Sequence, residues 1–198
     1  MQKAILTAVI FTASTGMVTS ASEAIQIGYD FDGQNGNPTQ TDSNASLSVA
    51  TLSGNSTSFT GTGNPGFAAS ISTSENFARL EFTVAPNTQL SLTNFSYDVA
   101  DSVPESIRVS SSVDSFTSFL NTYTPTSTFT TRSFTLSSFN NISTPVTFRI
   151  EQFGFGTIRF DNVLLDFTPT AIPFEFSPTF AAAVLAGIWL TSKRLKAR

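Results

Sequence analysis

Apolar and polar residues alternate along most of the middle of this chain. In segment 78–84 every second residue is apolar and the residues between them are polar, and segments 25–32, 93–99 and 146–151 repeat that pattern. A period of two predicts strands with one buried and one solvent-facing side. Segment 158–167 is more continuously apolar, which predicts a central strand that is partly buried on both sides.

Turn residues separate these segments, and no segment between them has a helical period. About nine or ten short strands are expected, which favours an all-β fold with two packed antiparallel sheets. The composition agrees, because the chain holds 57 Ser and Thr residues and 20 Phe residues, and Thr and Phe suit strands. We predict one antiparallel β-sandwich domain, jelly-roll-like, over residues 25–170.

The first 24 residues have the pattern of a secretory signal peptide. Lys3 is followed by the apolar run 4–13, and small residues such as Ala21 and Ala24 offer cleavage positions. This order of a charged start, an apolar stretch and small residues is typical of export signals. We therefore expect an exported protein and leave these residues out of the fold.

The last 28 residues, 171–198, combine a short polar motif, an apolar run and a basic end. The apolar run 176–191 is 16 residues long, or about 24 Å of helix. It is somewhat shorter than the roughly 20 residues of a permanent membrane span. Basic residues directly after it predict that the end of the chain stays cytoplasmic. The basic tail comprises Lys193, Arg194, Lys196 and Arg198.

This C-terminal order of parts resembles a known family of sorting signals. Pro173, Phe174 and Glu175 precede a hydrophobic helix with Gly187 and Trp189 and the basic tail. The tail resembles the PEP-CTERM class, in its Pro-Phe-Glu form seen in cyanobacterial proteins. The resemblance implies an exosortase-type processing peptidase as partner, membrane anchoring through the C-terminal helix before processing, and a final place at the cell surface or outside the cell. The middle domain also resembles, more loosely, the β-sandwich ectodomains that precede such tails.

The composition excludes several kinds of chemistry. The chain has no Cys and no His, which excludes Cys/His zinc sites and Ser-His-Asp triads. Residues 25–171 hold five Arg and twelve acidic residues, a net charge of 5 − 12 = −7, and such a domain repels phosphate backbones, so nucleic acid is not expected as a partner. The segment Gly61–Gly66 matches a nucleotide-binding fingerprint in its letters, but Pro65 and the absence of a following helical period indicate a glycine-rich loop.

Acidic residues near both ends of the domain suggest a metal site. If the first and last strands are neighbours, oxygens of Asp30, Asp32, Asp161 and Asn162 could converge on a structural calcium ion, which takes six to eight oxygen ligands. The alternative is that these side chains form turns and hydrogen bonds. A glycosidase would need two carboxylates about 5–10 Å apart. The pairs to consider are Asp98 with Asp101 and Glu105 with Asp114, and nothing in the sequence favours either.

Sugar binding usually requires exposed aromatic rings. Trp189 lies in the C-terminal run, Tyr29 and Tyr97 alternate onto the inward face, and the Phe residues are interpreted as core. Tyr123, in a predicted loop, is the one candidate platform. We expect a non-enzymatic, exported surface or extracellular-matrix protein, with a carbohydrate- or calcium-dependent binding module of the cell envelope as the alternative and a hydrolase as the least favoured interpretation.

Overall fold

Alternating burial along the strands produces two antiparallel sheets that pack face to face. The computed structural model describes residues 24–73, 78–103 and 106–170. The all-β prediction and the β-sandwich prediction are confirmed, although the described residues hold more strands than expected, because segment 45–53 forms two strands and segment 67–73 forms another. The twelve strands are β1 Ile25–Tyr29, β2 Ala45–Leu47, β3 Thr51–Ser53, β4 Ser56–Thr62, β5 Phe67–Thr73, β6 Ala78–Pro86, β7 Leu90–Asp101, β8 Ile107–Ser111, β9 Asn121–Tyr123, β10 Thr130–Thr135, β11 Val146–Gln152 and β12 Gly156–Pro169.

Sheet I has the strand order β10-β7-β12-β5-β4, with β1 also paired to β12, and sheet II has the order β2-β6-β11-β8-β9, with β3 also paired to β6. The long strand β12 therefore lies at the centre of sheet I, as its apolar sequence predicts. Its first half pairs with β5 and its second half with β1, in which Ile25 lies opposite Phe167. The first and last strands are thus neighbours, as the calcium hypothesis required.

The core between the sheets is largely aromatic. Phe82 and Phe148 from sheet II pack against Phe95 from sheet I, with ring centroids 5.6–5.9 Å apart. Tyr29 and Tyr97 are fully buried, which confirms their predicted inward orientation. Full burial of a side chain of this kind stabilises the fold by about 1.5–3 kcal/mol.

The predicted targeting segments lie outside the described residues. Across the three stretches that the structure describes, no helix is long and apolar enough to cross a membrane. The signal peptide and the C-terminal sorting signal remain predictions. The sorting residues outside the described range are Pro173, Phe174, Glu175, Lys193, Arg194, Lys196 and Arg198.

Candidate functional site

The outer face of sheet II carries rows of charged side chains. On β6 and β11, Arg79 pairs with Glu151 at 2.6 Å and Arg149 pairs with Glu81 at 2.5 Å. Each pair joins residues directly opposite each other in the strand register. Opposite charges at such positions stabilise a sheet by about 0.2–1 kcal/mol. These four residues form the centre of a polar surface.

Beside them lies the Phe119–Arg108–Phe153 cluster. Ile107 and Val109 are buried in the core, so Arg108 between them projects outward, as the alternation predicts. Its guanidinium carbon lies 4.7 Å from the ring centre of Phe119 and 4.9 Å from that of Phe153. Both rings remain accessible, with 49% and 41% of their residue surfaces exposed. The cluster therefore offers an immobilised cation with two exposed aromatic rings.

The segment between β8 and β9 positions Phe119. It begins with a single 3-10 turn, Ser112–Asp114, and Ser115 and Phe116 then adopt left-handed backbone conformations with φ of 60° and 62°. Hydrogen bonding from Ser118 lowers the pKa of Asp114, whose carboxylate accepts the Ser118 N–H at 2.9 Å. The ring of Phe116 lies 3.6 Å from the guanidinium carbon of Arg149. The segment is thereby held over the outer face of sheet II.

Tyr123 does not lie in a loop, contrary to the sequence prediction, and its role as a sugar contact stays a prediction. Tyr123 ends β9, opposite Ile107, and is half-buried. The guanidinium carbon of Arg132 lies 3.4 Å from its ring centre. One face of the ring is therefore covered by this cation. Arg132 itself lies opposite Tyr97 in the pairing of β10 with β7.

The predicted calcium residues meet a second group of polar side chains at the centre of sheet I. Asp161 and Asn162 lie where β12 changes partner from β5 to β1, with an irregular register and a φ of 45° at Asn162. Asp98 lies directly opposite Asp161 on β7. Asn64, in the glycine-rich loop, donates its backbone N–H to Asp161 Oδ2 at 2.6 Å. Asp32 accepts the N–H of Phe67 from the end of the same loop at 2.9 Å.

These acids serve as hydrogen-bond acceptors. Asp161 also accepts the N–H of Asn162 at 2.8 Å, and the Asn162 side chain donates to Asp98 Oδ2 at 2.9 Å. Asp30 instead accepts the N–H of Asp32 at 3.0 Å, within its own turn. These hydrogen bonds hold the loop between β4 and β5 against β12, at the point where β12 changes its partner from β5 to β1. It matches the alternative that these side chains form turns and hydrogen bonds.

The pKa of Asp161 is raised to about 6, mainly by burial and to a smaller extent by the nearby carboxylates of Asp98 and Asp32, while the N–H groups of Asn64 and Asn162 act in the opposite direction. Within residues 24–73, 78–103 and 106–170, no group of three or more acidic side chains is arranged to hold a metal ion. The structural calcium ion therefore stays a prediction.

The first acid pair considered for a glycosidase does not share a face. Asp98 lies on the outer side of β7, where it accepts the Thr131 hydroxyl at 2.5 Å. Asp101 points into the sandwich, where it is fully buried and accepts a hydrogen bond from the Gln152 side chain at 2.5 Å. Two carboxylates on opposite sides of a sheet cannot flank one glycosidic bond. Of the other pair, Glu105 lies outside the described residues, and Asp114 anchors the segment after β8.

The sequence interpretation missed the surface aromatic residues because it assigned every Phe to the core. Phe119 follows a Ser/Thr-rich stretch without alternation, and Phe153 and Phe155 lie next to glycines in the turn between β11 and β12. An aromatic ring inside a glycine-bounded turn has no strand to carry it inward. That local signal would have predicted exposed rings at Phe153 and Phe155.

Comparisons with known proteins give similarity at the level of structure alone. No protein-family model matches the chain, and no curated protein matches it in sequence. A family 4 carbohydrate-binding module is 15% identical, with a TM-score of 0.47 over 71% of this chain and 97% of its own. A family 11 module from Clostridium thermocellum, solved with a β-1,3-1,4-mixed-linked tetrasaccharide, is 14% identical, with a TM-score of 0.42 over 74% of this chain and 96% of its own. A family 61 module solved with β-1,4-galactotriose is 8% identical, with a TM-score of 0.41 over 65% and 90%.

Proposed function

We propose that this domain is a non-catalytic carbohydrate-binding module and that the outer face of sheet II binds the saccharide. The observation that supports the proposal is the Phe119–Arg108–Phe153 cluster. Exposed aromatic rings beside polar side chains are the usual composition of a binding surface, because rings supply contact area and polar groups supply orientation.

The surroundings of the cluster suit a sugar better than a protein partner's apolar side chains. Arg108 carries N–H donors, and Thr122, opposite it in the register of β9, is exposed and carries a hydroxyl. Glu151 lies opposite Arg108 on β11. Sugar hydroxyls both donate and accept hydrogen bonds, so a surface that combines a guanidinium with a hydroxyl can satisfy them. The C–H face of a sugar ring would lie on the phenylalanine rings.

Removing both rings should weaken polysaccharide binding. The double substitution Phe119→Ala/Phe153→Ala is expected to lower affinity by roughly tenfold or more, since central aromatic contacts each contribute about 1–2 kcal/mol to binding. Affinity electrophoresis of the full chain in gels that contain soluble neutral or acidic polysaccharides measures this change.

The matched control is Phe129→Ala. The ring centre of Phe129 lies 5.0 Å from the guanidinium carbon of Arg159, on sheet I. This substitution therefore removes the same kind of aromatic–arginine contact from the other sheet. It should leave affinity unchanged. Equal binding by the double variant and the original chain, or no retardation by any polysaccharide, would contradict the proposal.

The module is proposed to act outside the cell, as a surface or extracellular-matrix protein. The order of parts in the sequence supports this proposal: residues 1–24 read as an export signal, and Pro173, Phe174 and Glu175 precede an apolar run and the basic tail. An exosortase-type peptidase would process the tail, and the module would then meet extracellular polysaccharide.

Intact-mass measurement of the protein recovered from its native cells tests the sorting proposal. Both ends should be shortened, with the N-terminus near residue 25 and the C-terminus within the last 28 residues. A C-terminus still at Arg198 would contradict the sorting proposal and would leave the binding proposal unaffected.

A further inference from the structure

We propose that the saccharide is acidic, and that Arg108 binds the carboxylate of a uronic acid residue. The inference rests on the proposed function, because it names the ligand class of the same surface. It starts from the hydrogen-bonding state of Arg108, which differs from that of the neighbouring arginines.

A guanidinium presents five N–H donors. Arg79 donates to Glu151, Arg149 to Glu81 and Arg159 to the carbonyl oxygen of Thr62. Arg132, on sheet I, contacts the ring of Tyr123, and its Nε has no acceptor among the described residues. For Arg108, the described part of the chain provides aromatic contacts but no hydrogen-bond acceptor and no ion-pair partner. Its donors are available to a ligand at the outer face.

The nearest carboxylate in the register is already used. Glu151 lies between Arg79 and Arg108 in adjacent strands, and its Oε1 is bonded to Arg79 by both Nε at 2.7 Å and a terminal nitrogen at 2.6 Å. Glu81 is likewise bonded to Arg149. Asp114, in the segment above this face, accepts the N–H of Ser118. The described strands of sheet II themselves place three arginines and two carboxylates on the outer face, and Arg108 supplies their excess positive charge. This excess stands out in a domain whose net charge is −7.

The two rings keep the guanidinium in place before a ligand arrives. Contact with an aromatic face is favourable for a cation and limits the rotamers of a long side chain. A planar guanidinium held in this way matches a carboxylate, which accepts two parallel hydrogen bonds. A uronic acid residue combines that carboxylate with a sugar ring whose C–H face suits Phe119 or Phe153. The cluster is thus complementary to one acidic sugar residue, with the guanidinium for its carboxylate and the phenylalanine rings for the C–H face of its ring.

Affinity electrophoresis and calorimetry of the full chain with polygalacturonate, alginate, a sulfated galactan and a neutral galactan test the inference. Polygalacturonate or alginate should bind best. Arg108→Gln should lower affinity for the uronate polymer roughly 10- to 100-fold, the range for hydrogen bonds to a charged group. Arg108→Lys should recover only part of the loss, because a lysine cannot form the paired bonds. Added salt should weaken uronate binding more than neutral binding.

Arg159→Gln is the charge-matched control, because it removes one positive charge from the outer face of sheet I and should leave uronate affinity unchanged. Equal losses from the two substitutions would overturn the inference in favour of a net-charge effect. Stronger binding of the sulfated or the neutral galactan would also overturn it. In those cases, sensitivity to Phe119→Ala/Phe153→Ala would still support the proposed function. Absence of binding to all four polymers would overturn both.

Discussion

Phe148→Ala should lower the free energy of unfolding by about 3–5 kcal/mol, the range for truncating a buried aromatic side chain. Phe148 is fully buried on β11, and its ring centre lies 5.8, 5.6 and 5.5 Å from those of Phe82, Phe95 and Phe139. Its removal leaves a cavity between the sheets and breaks three ring contacts, each favourable by about 0.5–1.5 kcal/mol beyond burial. Because a domain is stable by only about 5–15 kcal/mol, the loss is a large fraction of the total.

Urea unfolding followed by fluorescence or circular dichroism measures the change. Phe155→Ala is the matched control, since Phe155 lies in the turn between β11 and β12 and is 56% exposed. Its substitution should change the free energy of unfolding by less than about 0.5 kcal/mol. Similar losses from the two variants would contradict the placement of the Phe148 ring in the core between the two sheets.

Alternation predicted the strands that have one apolar side. Along Ala78–Pro86 buried and half-exposed residues alternate as the sequence does, and Leu90–Asp101 and Val146–Gln152 follow the same rule over most of their length. The rule loses power where both sides of a strand are polar. Ser56–Thr62 has no fully buried residue, and its position is set by pairing with β5. Partner choice of this kind depends on contacts far apart in the chain, which a local pattern does not contain.

The candidate sites also combine features that the local sequence predicts with features that depend on long-range pairing. Proximity of Asp32 and Asp161 could be predicted from the neighbouring first and last strands. The participation of Asp98 and Asn64 could not, because it depends on the register of β7 against β12 and on how the loop between β4 and β5 folds back. Tyr123 was misplaced because the apolar content of β9 is too small to reveal a three-residue strand.

Asp161→Ala should destabilise the domain by about 1–3 kcal/mol, because it removes the acceptor of two part-buried backbone N–H groups and each such hydrogen bond contributes about 0.5–1.5 kcal/mol. Those donors are the N–H groups of Asn64 and Asn162, at 2.6 and 2.8 Å from the carboxylate. Urea unfolding in the presence of EDTA measures the loss. Asp166→Ala is the control, since Asp166 is a half-exposed acid on the same strand whose carboxylate accepts bonds from the side chains of Gln26 and Asn94.

The pH dependence of the same carboxylate separates its two interpretations. Burial raises the pKa of Asp161 from 3.8 to about 6, so between these values the folded state binds more protons than the unfolded state. The stability contributed by this group is then fully present below about pH 4 and is lost as pH rises from about 4 through 6. In EDTA, the melting temperature of the original chain should fall relative to that of Asp161→Asn as pH rises from 4 to 7. A calcium ion held by Asp32 and Asp161 would favour the ionised carboxylates. Added calcium would then reverse the trend and raise the melting temperature at pH 7, which would support the calcium prediction and contradict the account based on hydrogen bonds alone.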